Sequence, residues 1–280
     1  MKKLKYFLQT KFLGLYINVL AYISPKKASL IAYRLFSEPR DGKLLKETMP
    51  EFLRASETEI LQHENDFFQV YIWKGNDNVI LLVHGWESNT SRWEKILPYL
   101  RESGSTIVAI DAPGHGLSGS KEFSIPRYAE YIDAVAKKYD ANAIVGHSLG
   151  GAASVYYQYK YQNSKLQKMV LLGAPSDLHI LVGNYAKLLS LSSRMVSLLD
   201  SHFLDKFKFK PIDFSGKIFA EKLQLNGIIA HDTNDELVAF AESQKIAGSW
   251  KHAEFIETKG LGHSMHDDAL YRKVAAFLVH

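Results

Sequence analysis

The sequence VGHSLGG at residues 145–151 places a serine between two glycines, directly after the short apolar run 143–145. The apolar run predicts a buried strand, and the small residues after it predict the first turn of a helix packed closely on that strand. So sharp a turn strains the serine backbone and leaves no room for side chains two residues away, where Gly146 and Gly150 stand. We therefore predict that Ser148 is a nucleophile exposed at the end of a strand.

Around this turn, apolar runs alternate with helix-like stretches. Strands are predicted at residues 67–73, 79–84, 106–111, 143–146, 169–173, 225–230 and 254–257, and helices at 92–102, 125–140, 148–162, 240–247 and 268–279. Such alternation is typical of βαβ units. It predicts an α/β domain with a mainly parallel central sheet and helices on both faces.

The connection at residues 174–224 is too long for an ordinary link between a helix and a strand. Its first half is leucine-rich and helix-like, and a basic-aromatic run follows at 206–210. We predict an inserted helical cap over the carboxyl edge of the sheet, at about 174–224 within a domain of residues 67–280. Residues 1–66 are predicted to form an N-terminal helical extension.

Composition limits the classes of function. The 280 residues are 46% hydrophobic and include no cysteine, which predicts a sizeable core and excludes disulfides, thiolate catalysis and cysteine-ligated metals. The net charge is +4, and no lysine or arginine block lies beyond the N-terminus, so nucleic acid is not an expected partner. The absence of cysteine suits a cytoplasmic location. A peripheral contact with the membrane through the N-terminal helix is compatible with that location.

The N-terminal segment leaves three interpretations open. It begins with a basic stretch, and its apolar run 12–23 is shorter than the roughly 20 residues that span a bilayer. The segment could be a helix packed on the domain or over its pocket, an interfacial membrane anchor, or an export signal, although no A-x-A-type cleavage site follows it. A helix is favoured by apolar residues spaced three and four apart: Leu4, Leu8, Phe12, Leu15, Val19 and Ile23.

A serine nucleophile needs a base and an acid that orients the base. His263 follows the last predicted strand and is the candidate base, whereas His266 in the same loop is better suited to a helix start. Asp235 lies in a turn just beyond the preceding strand and is the candidate acid. Asp232 and Asp177 remain alternatives for that role.

Donors for an oxyanion are expected in two places. Leu149 follows the nucleophile, and Trp86 follows the early strand that ends at His84, so their backbone N–H groups are the candidate oxyanion hole. Gly85 would leave room for the substrate carbonyl. His84 and His147 are interpreted as structural residues.

Neither a cofactor nor a metal is implied by these residues. A metal site would need His263, His266, Asp267 and Asp268, but the predicted triad already uses His263.

Five motifs in this order resemble the α/β-hydrolase superfamily, especially its capped esterase, lipase and acyl-hydrolase branches: HGW (84–86), DAPGHGLSG (111–119), GHSLGG (146–151), HDTNDELV (231–238) and GLGHSMH (260–266). The chain order Ser148, Asp235, His263 is that of this superfamily. The acid loop of the superfamily commonly begins with His-Gly, and His231-Asp232 stands there in this chain. This departure leaves the choice between Asp232 and Asp235 open.

The resemblance implies a serine hydrolase that cleaves carboxylic esters with an apolar acyl or alcohol part through an acyl-enzyme. Acyl transfer or carbon-carbon bond hydrolysis by the same triad is the alternative among enzymes. A non-catalytic α/β-hydrolase-fold protein that binds an apolar ligand is the alternative from another class. A serine at the nucleophile position argues against haloalkane dehalogenases and epoxide hydrolases, which use aspartate there.

Overall fold

A computed structural model describes residues 2–279, with side chains from Phe7 onward. Within this range eight strands form one sheet in the order β1-β2-β4-β3-β5-β6-β7-β8. The strands are β1 (Glu57–His63), β2 (Asp66–Trp73), β3 (Asn76–Val83), β4 (Ser105–Ile110), β5 (Ala143–His147), β6 (Lys168–Leu172), β7 (Asn226–Asp232) and β8 (Ala253–Thr258). The β1-β2 and β2-β4 pairs are antiparallel, and the other strand pairs are parallel. The predicted mainly parallel sheet is confirmed.

The helices lie between the strands and before them. They are α1 (Lys2–Ile23), α2 (Pro25–Ser37), α3 (Glu51–Arg54), α4 (Leu97–Glu102), α5 (Ile125–Lys138), α6 (Leu149–Tyr161), α7 (Leu178–Leu189), α8 (Ser193–Phe207), α9 (Gly216–Ala220), α10 (Phe240–Ala247) and α11 (Asp268–Val279). Local signals explain several of their starts. The Ser124 side chain accepts from Arg127 N at the start of α5, and the Ser192 side chain accepts from Met195 N at the start of α8.

Strand β1 was not predicted and lies inside residues 1–66, the range predicted as a helical extension. Its sequence ETEILQH carries no apolar run, and each of its side chains is exposed or half-buried. It is an edge strand, so one neighbour, β2, supplies its backbone partners from Glu57 to His63. Because backbone pairing rather than side-chain burial holds β1, its sequence lacks the signal of a buried strand.

The chain divides into two compact units. The helical unit comprises the segments up to Glu38 and Asp177–Ser215, and the sheet unit comprises Pro39–Ser176 and the chain from Gly216 onward. Helices α1 and α2 thus pack with α7 and α8 of the insertion. The segment between β6 and β7 contains α7, α8 and α9, and the insertion of a cap at about 174–224 stays a prediction.

Specific contacts join α1 to the insertion. A Cβ on Gly14 would lie 1.7 Å from the carbonyl oxygen of Leu189, so only glycine permits this approach of α1 to α7. Asn18 donates to the Ser190 carbonyl at 2.9 Å and accepts from Ser192 N at 2.8 Å. The Lys11 ammonium donates to carbonyls at the end of α7, where a positive charge is favoured by the helix dipole.

Helix α1 is 22 residues long, but it falls short of the apolar character that a bilayer crossing requires. The same holds for the other helices between residues 2 and 279.

Candidate active site

Ser148 lies at the turn between β5 and α6 with φ 53° and ψ −126°, a backbone conformation that residues other than glycine rarely adopt. The neighbouring glycines explain how the turn closes. A Cβ on Gly146 would lie 2.6 Å from the Cα of Gly151, and one on Gly150 would lie 2.2 Å from the carbonyl oxygen of Val83. The sharp, strained turn that the glycine spacing predicts at Ser148 is therefore present in the structure.

His263 and Asp235 come together from the loops after β8 and β7. His263 Nδ1 lies 2.7 Å from Asp235 Oδ2. The other oxygen of this buried carboxylate accepts from the backbone N–H groups of Leu237 and Val238 at 2.8 and 2.9 Å. These two bonds fix the carboxylate and leave Oδ2 facing the imidazole, so Nδ1 carries the proton and Nε2 can act as a base.

His147, the residue before Ser148, contacts the loop that carries His263. His147 Nε2 donates to the carbonyl oxygen of His263 at 2.8 Å, and the two ring centroids are 4.8 Å apart. Burial lowers the pKa of His147 well below its ordinary value, so the ring is neutral. Gly173, after β6, lies beside the pair, because a Cβ there would be 3.5 Å from both His263 Nδ1 and Asp235 Oδ2. Residues from the ends of β5, β6, β7 and β8 thus converge at one place.

Asp232, the second candidate for the acid, faces the backbone of the histidine loop rather than the His263 ring. Its fully buried carboxylate accepts from Thr258 Oγ1 and Leu261 N, each at 2.9 Å, and from Gly260 N at 3.2 Å. Burial alone would raise the pKa of Asp232, but hydrogen bonds, first from Leu261 N, leave it below its ordinary value. Asp232 therefore ties the segment that leads into His263 to the end of β7.

Asp177, His266 and Asp267 have partners outside the pair formed by His263 and Asp235. Asp177 precedes α7 and accepts from the Ser215 hydroxyl at 2.6 Å. His266 Nδ1 contacts the Tyr271 hydroxyl, and burial lowers the pKa of His266 to about 4. Asp267 accepts from Leu270 N at the start of α11. Among the described residues, no group of three or more histidine, aspartate and glutamate side chains is arranged to hold a metal ion.

His231 is a further neighbour of Asp235, and the sequence analysis gave it no role. Its Nε2 lies 3.2 Å from Asp235 Oδ2 and 3.0 Å from the carbonyl oxygen of Val238. Since both partners are acceptors, Nε2 carries a proton. Burial lowers the pKa of His231, which favours the neutral ring with this one donor turned toward the acid.

The loop after β3 carries the first predicted oxyanion donor. A Cβ on Gly85 would lie 2.8 Å from the Cβ of Ser148, so this loop passes directly beside the Ser148 side chain. His84 accepts from Ala112 N through Nε2 and donates from Nδ1 to the Gly85 carbonyl oxygen at 2.8 Å. In a trans peptide the N–H points away from the preceding C=O, so the Trp86 N–H points away from His84. Burial lowers the pKa of His84 to about 3 and keeps this tautomer neutral.

The second predicted donor, Leu149, is the first residue of α6. The first N–H groups of a helix have no acceptor within the helix, and the helix dipole favours negative charge beside them. Leu149 directly follows Ser148, so its N–H belongs to the same turn as the candidate nucleophile.

The DAPGHGLSG segment supports the loop after β3. His115 Nε2 accepts from Glu87 N at 2.9 Å, and burial lowers the pKa of His115 to about 3. Asp111 accepts from the Thr90 backbone and hydroxyl at 3.0 and 2.8 Å. Both contacts hold the backbone just beyond Trp86, so the histidine and the aspartate of this motif have a structural role there.

A second support comes from residues 39–44, where the sequence analysis placed no motif. Gly116 N donates to the Gly42 carbonyl oxygen at 2.8 Å, and Leu44 N donates back to the Gly116 carbonyl oxygen. Arg40 N donates to Glu87 Oε1 at 3.0 Å. The two bonds of Gly116 join backbone groups, so no pattern of side chains could have predicted them, whereas the third bond uses the Glu87 carboxylate.

Known proteins resemble this chain in sequence and in fold. A family model described as the alpha/beta hydrolase fold matches residues 78–224. A bifunctional esterase/perhydrolase from Acinetobacter calcoaceticus is 31% identical over 106 residues, which cover 36% of this chain and 38% of that protein. Phospholipase YtpA from Bacillus subtilis is 27% identical over 139 residues, 46% of this chain and 52% of that protein. This chain therefore matches about half or less of the length of these curated relatives.

Solved structures share the fold at low identity. A meta-cleavage product hydrolase from Pseudomonas fluorescens has a TM-score of 0.60 at 16% identity, and the match covers 78% of this chain and 96% of that one. With the family match, this likeness confirms the predicted fold class.

Proposed function

Because this chain belongs to the α/β-hydrolase family, we propose that it is a serine hydrolase of carboxylic esters with an apolar acyl or alcohol part. The observation that carries the proposal is the 2.7 Å contact between His263 Nδ1 and Asp235 Oδ2, in a loop that bonds to His147, the residue before a serine held in a strained turn. A base oriented by a buried acid is what a serine hydroxyl needs to attack a carbonyl at neutral pH.

In the proposed reaction, Ser148 Oγ attacks the ester carbonyl while His263 Nε2 takes the hydroxyl proton. Asp235 holds the Nδ1–H and stabilises the imidazolium that forms. The N–H groups of Trp86 and Leu149 receive the negative charge of the tetrahedral oxygen. His263 then returns the proton to the leaving alcohol, and an acyl-enzyme remains on Ser148. Water, deprotonated by the same imidazole, releases the carboxylic acid and restores the serine.

Two observations support an apolar ester as substrate. The half-buried Trp86 packs its ring against Phe123 and His115 at centroid distances of 5.5 and 5.4 Å, so the loop after β3, which approaches Ser148 at Gly85, carries a large apolar side chain. The relatives of this chain include a named esterase and a named phospholipase, and both names denote ester hydrolysis.

The first test is hydrolysis of p-nitrophenyl esters of increasing acyl length by the wild type and by Ser148→Ala. We expect the variant to lose at least about a thousandfold in kcat/KM, because removing a nucleophile of this type abolishes the covalent route. Ser154→Ala is the matched control, since Ser154 lies in the same helix α6 and its hydroxyl donates to the Gly150 carbonyl oxygen at 2.7 Å.

The control should keep its activity within a few fold of the wild type. A preference for medium or long acyl chains would support the apolar part of the proposal. Equal rates for the wild type and Ser148→Ala on every ester would refute it.

A further inference from the structure

One side of α1 is apolar and exposed along most of the helix. Positions three and four apart share a helix face, and seven exposed apolar residues of α1 fall within about 120° of the helix circumference. Their exposed fractions run from 46% to 75%. We call the following set the α1 outer face: Leu8, Phe12, Leu15, Tyr16, Val19, Tyr22 and Ile23.

The opposite side of α1 is held by close packing and hydrogen bonds, so the helix cannot rotate to bury the outer face. Gly14 abuts the Leu189 carbonyl, and Ile17 and Ala21 are fully buried. Asn18 bonds to the backbone between α7 and α8, and Arg194 Nε donates to the Ala21 carbonyl oxygen at 3.2 Å. Packing within the helical unit accounts for the apolar residues on the buried side of α1. It does not account for the apolar residues of the exposed outer face.

Basic residues predominate in the segments that form the helical unit. Residues 1–37 contain seven lysines and arginines and no aspartate or glutamate. The helical unit as a whole has twelve basic against five acidic residues, a formal charge of +7, which leaves −3 for the rest of a chain whose net charge is +4. The positive charge of this protein is therefore concentrated on the segments that carry the exposed apolar face.

We propose that the α1 outer face docks on the surface of an anionic lipid bilayer, with the helix lying in the plane of the interface. Large exposed apolar patches mark interaction sites, and an apolar helix face accompanied by basic residues is suited to the boundary between headgroups and acyl chains. Phe12, Tyr16 and Tyr22 add aromatic rings, which favour that boundary. A second copy of this chain fits less well, because two units of charge +7 repel each other while an anionic surface attracts them.

The test measures cosedimentation of the full chain with vesicles of phosphatidylcholine alone and of phosphatidylcholine mixed with phosphatidylglycerol. The variant Phe12→Gln/Leu15→Gln/Ile23→Gln makes the outer face polar and keeps a good helix former at each position. The control Leu45→Gln/Ile60→Gln/Ile218→Gln changes three residues of the sheet unit that are 63%, 54% and 49% exposed. Point substitutions are preferable to deletion of α1, which would uncover the packed faces of α7 and α8.

We expect the wild type and the control to bind the mixed vesicles, with weaker binding to phosphatidylcholine alone and at high salt. The outer-face variant should lose at least about 30-fold in partitioning, because three apolar side chains no longer leave water. Thermal unfolding in the absence of vesicles checks that all three proteins are folded.

Equal binding by the wild type and the outer-face variant, or no binding by the wild type, would overturn the proposal. Light scattering measures the oligomeric state and so tests whether a second copy of this chain occupies the outer face. A wild type that is dimeric and does not bind vesicles, with a monomeric outer-face variant, would make this face a dimer interface and would also overturn it.

Discussion

Asp232 and Asp235 are three residues apart and both buried, but their carboxylates have different partners. Asp235 faces the His263 ring, and Asp232 faces the backbone that leads to His263. The departure from His-Gly in the acid loop thus has a structural account. A carboxylate at position 232 gathers donors from residues 258–261, which a glycine could not do.

Two conservative variants separate these roles. Asp235→Asn should lower kcat/KM by about a thousandfold to ten-thousandfold with little loss of stability, because the amide no longer holds the productive tautomer of His263. Asp232→Asn should lower the free energy of unfolding by about 3 kcal/mol, because an amide NH₂ replaces one acceptor among buried donors. It should retain most of its activity at temperatures where it is folded.

Kinetics on a soluble ester and urea unfolding of both variants provide the measurement. The reverse pattern, with a stable but inactive Asp232→Asn and a destabilised but active Asp235→Asn, would exchange the two assignments.

At the scale of the elements, glycines show how closely helices approach. Gly14 and Gly183 both lie inside helices of the helical unit, in α1 and α7. A Cβ on Gly14 would strike the Leu189 carbonyl at 1.7 Å, whereas one on Gly183 would meet nothing within 4 Å. Gly14 is required by packing. Gly183 is not, and it lowers the stability of α7 because glycine is a poor helix former.

Gly14→Ala should destabilise the protein by about 2–3 kcal/mol, because α1 must move away from α7. Gly183→Ala should stabilise it by about 0.5–1 kcal/mol through helix propensity alone. Urea unfolding of the two variants beside the wild type measures both changes. Destabilisation by Gly183→Ala, or a neutral Gly14→Ala, would show that α1 and α7 pack differently.

For the whole molecule, buried histidines couple stability to pH. Burial lowers the pKa of His84 and of His115 to about 3, and both side chains are fully buried. The unfolded chain takes up protons on these rings below about pH 6.5 while the folded chain does not. Acidification therefore favours unfolding between about pH 6.5 and about pH 3, and the stability contributed by the neutral rings is fully present above that window.

We expect the free energy of unfolding to fall by about 1.4 kcal/mol per pH unit for each of these two histidines below about pH 6.5. Urea unfolding from about pH 7.5 to about pH 5 measures the slope, where most carboxylates remain ionised. His115→Gln should flatten the slope by about one histidine's share, and His252→Gln, at an exposed position, should not. A slope that His115→Gln leaves unchanged would argue that this ring is charged in the folded protein.

Local signals in the sequence were enough to predict most strands, the turn at Ser148 and the candidate residues that follow the strands. The apolar runs located seven of the eight strands found within residues 2–279, because buried parallel strands read as continuous apolar stretches. The turn at Ser148 was evident because its geometry requires Gly146 and Gly150 whatever surrounds it. Chain order then suggested His263 and Asp235, since the ends of parallel strands meet at one edge of a sheet.

Other features were decided only by the tertiary structure. The sequence left the choice between Asp232 and Asp235 open, because which carboxylate meets His263 depends on how two loops from neighbouring strands are placed, to within an ångström. Backbone hydrogen bonds, which no side-chain pattern records, pair strand β1 with β2 and join Gly42 and Leu44 to Gly116. Helix α1 carries apolar residues on two sides, so only its packing against α7 could decide which side is buried and which remains exposed.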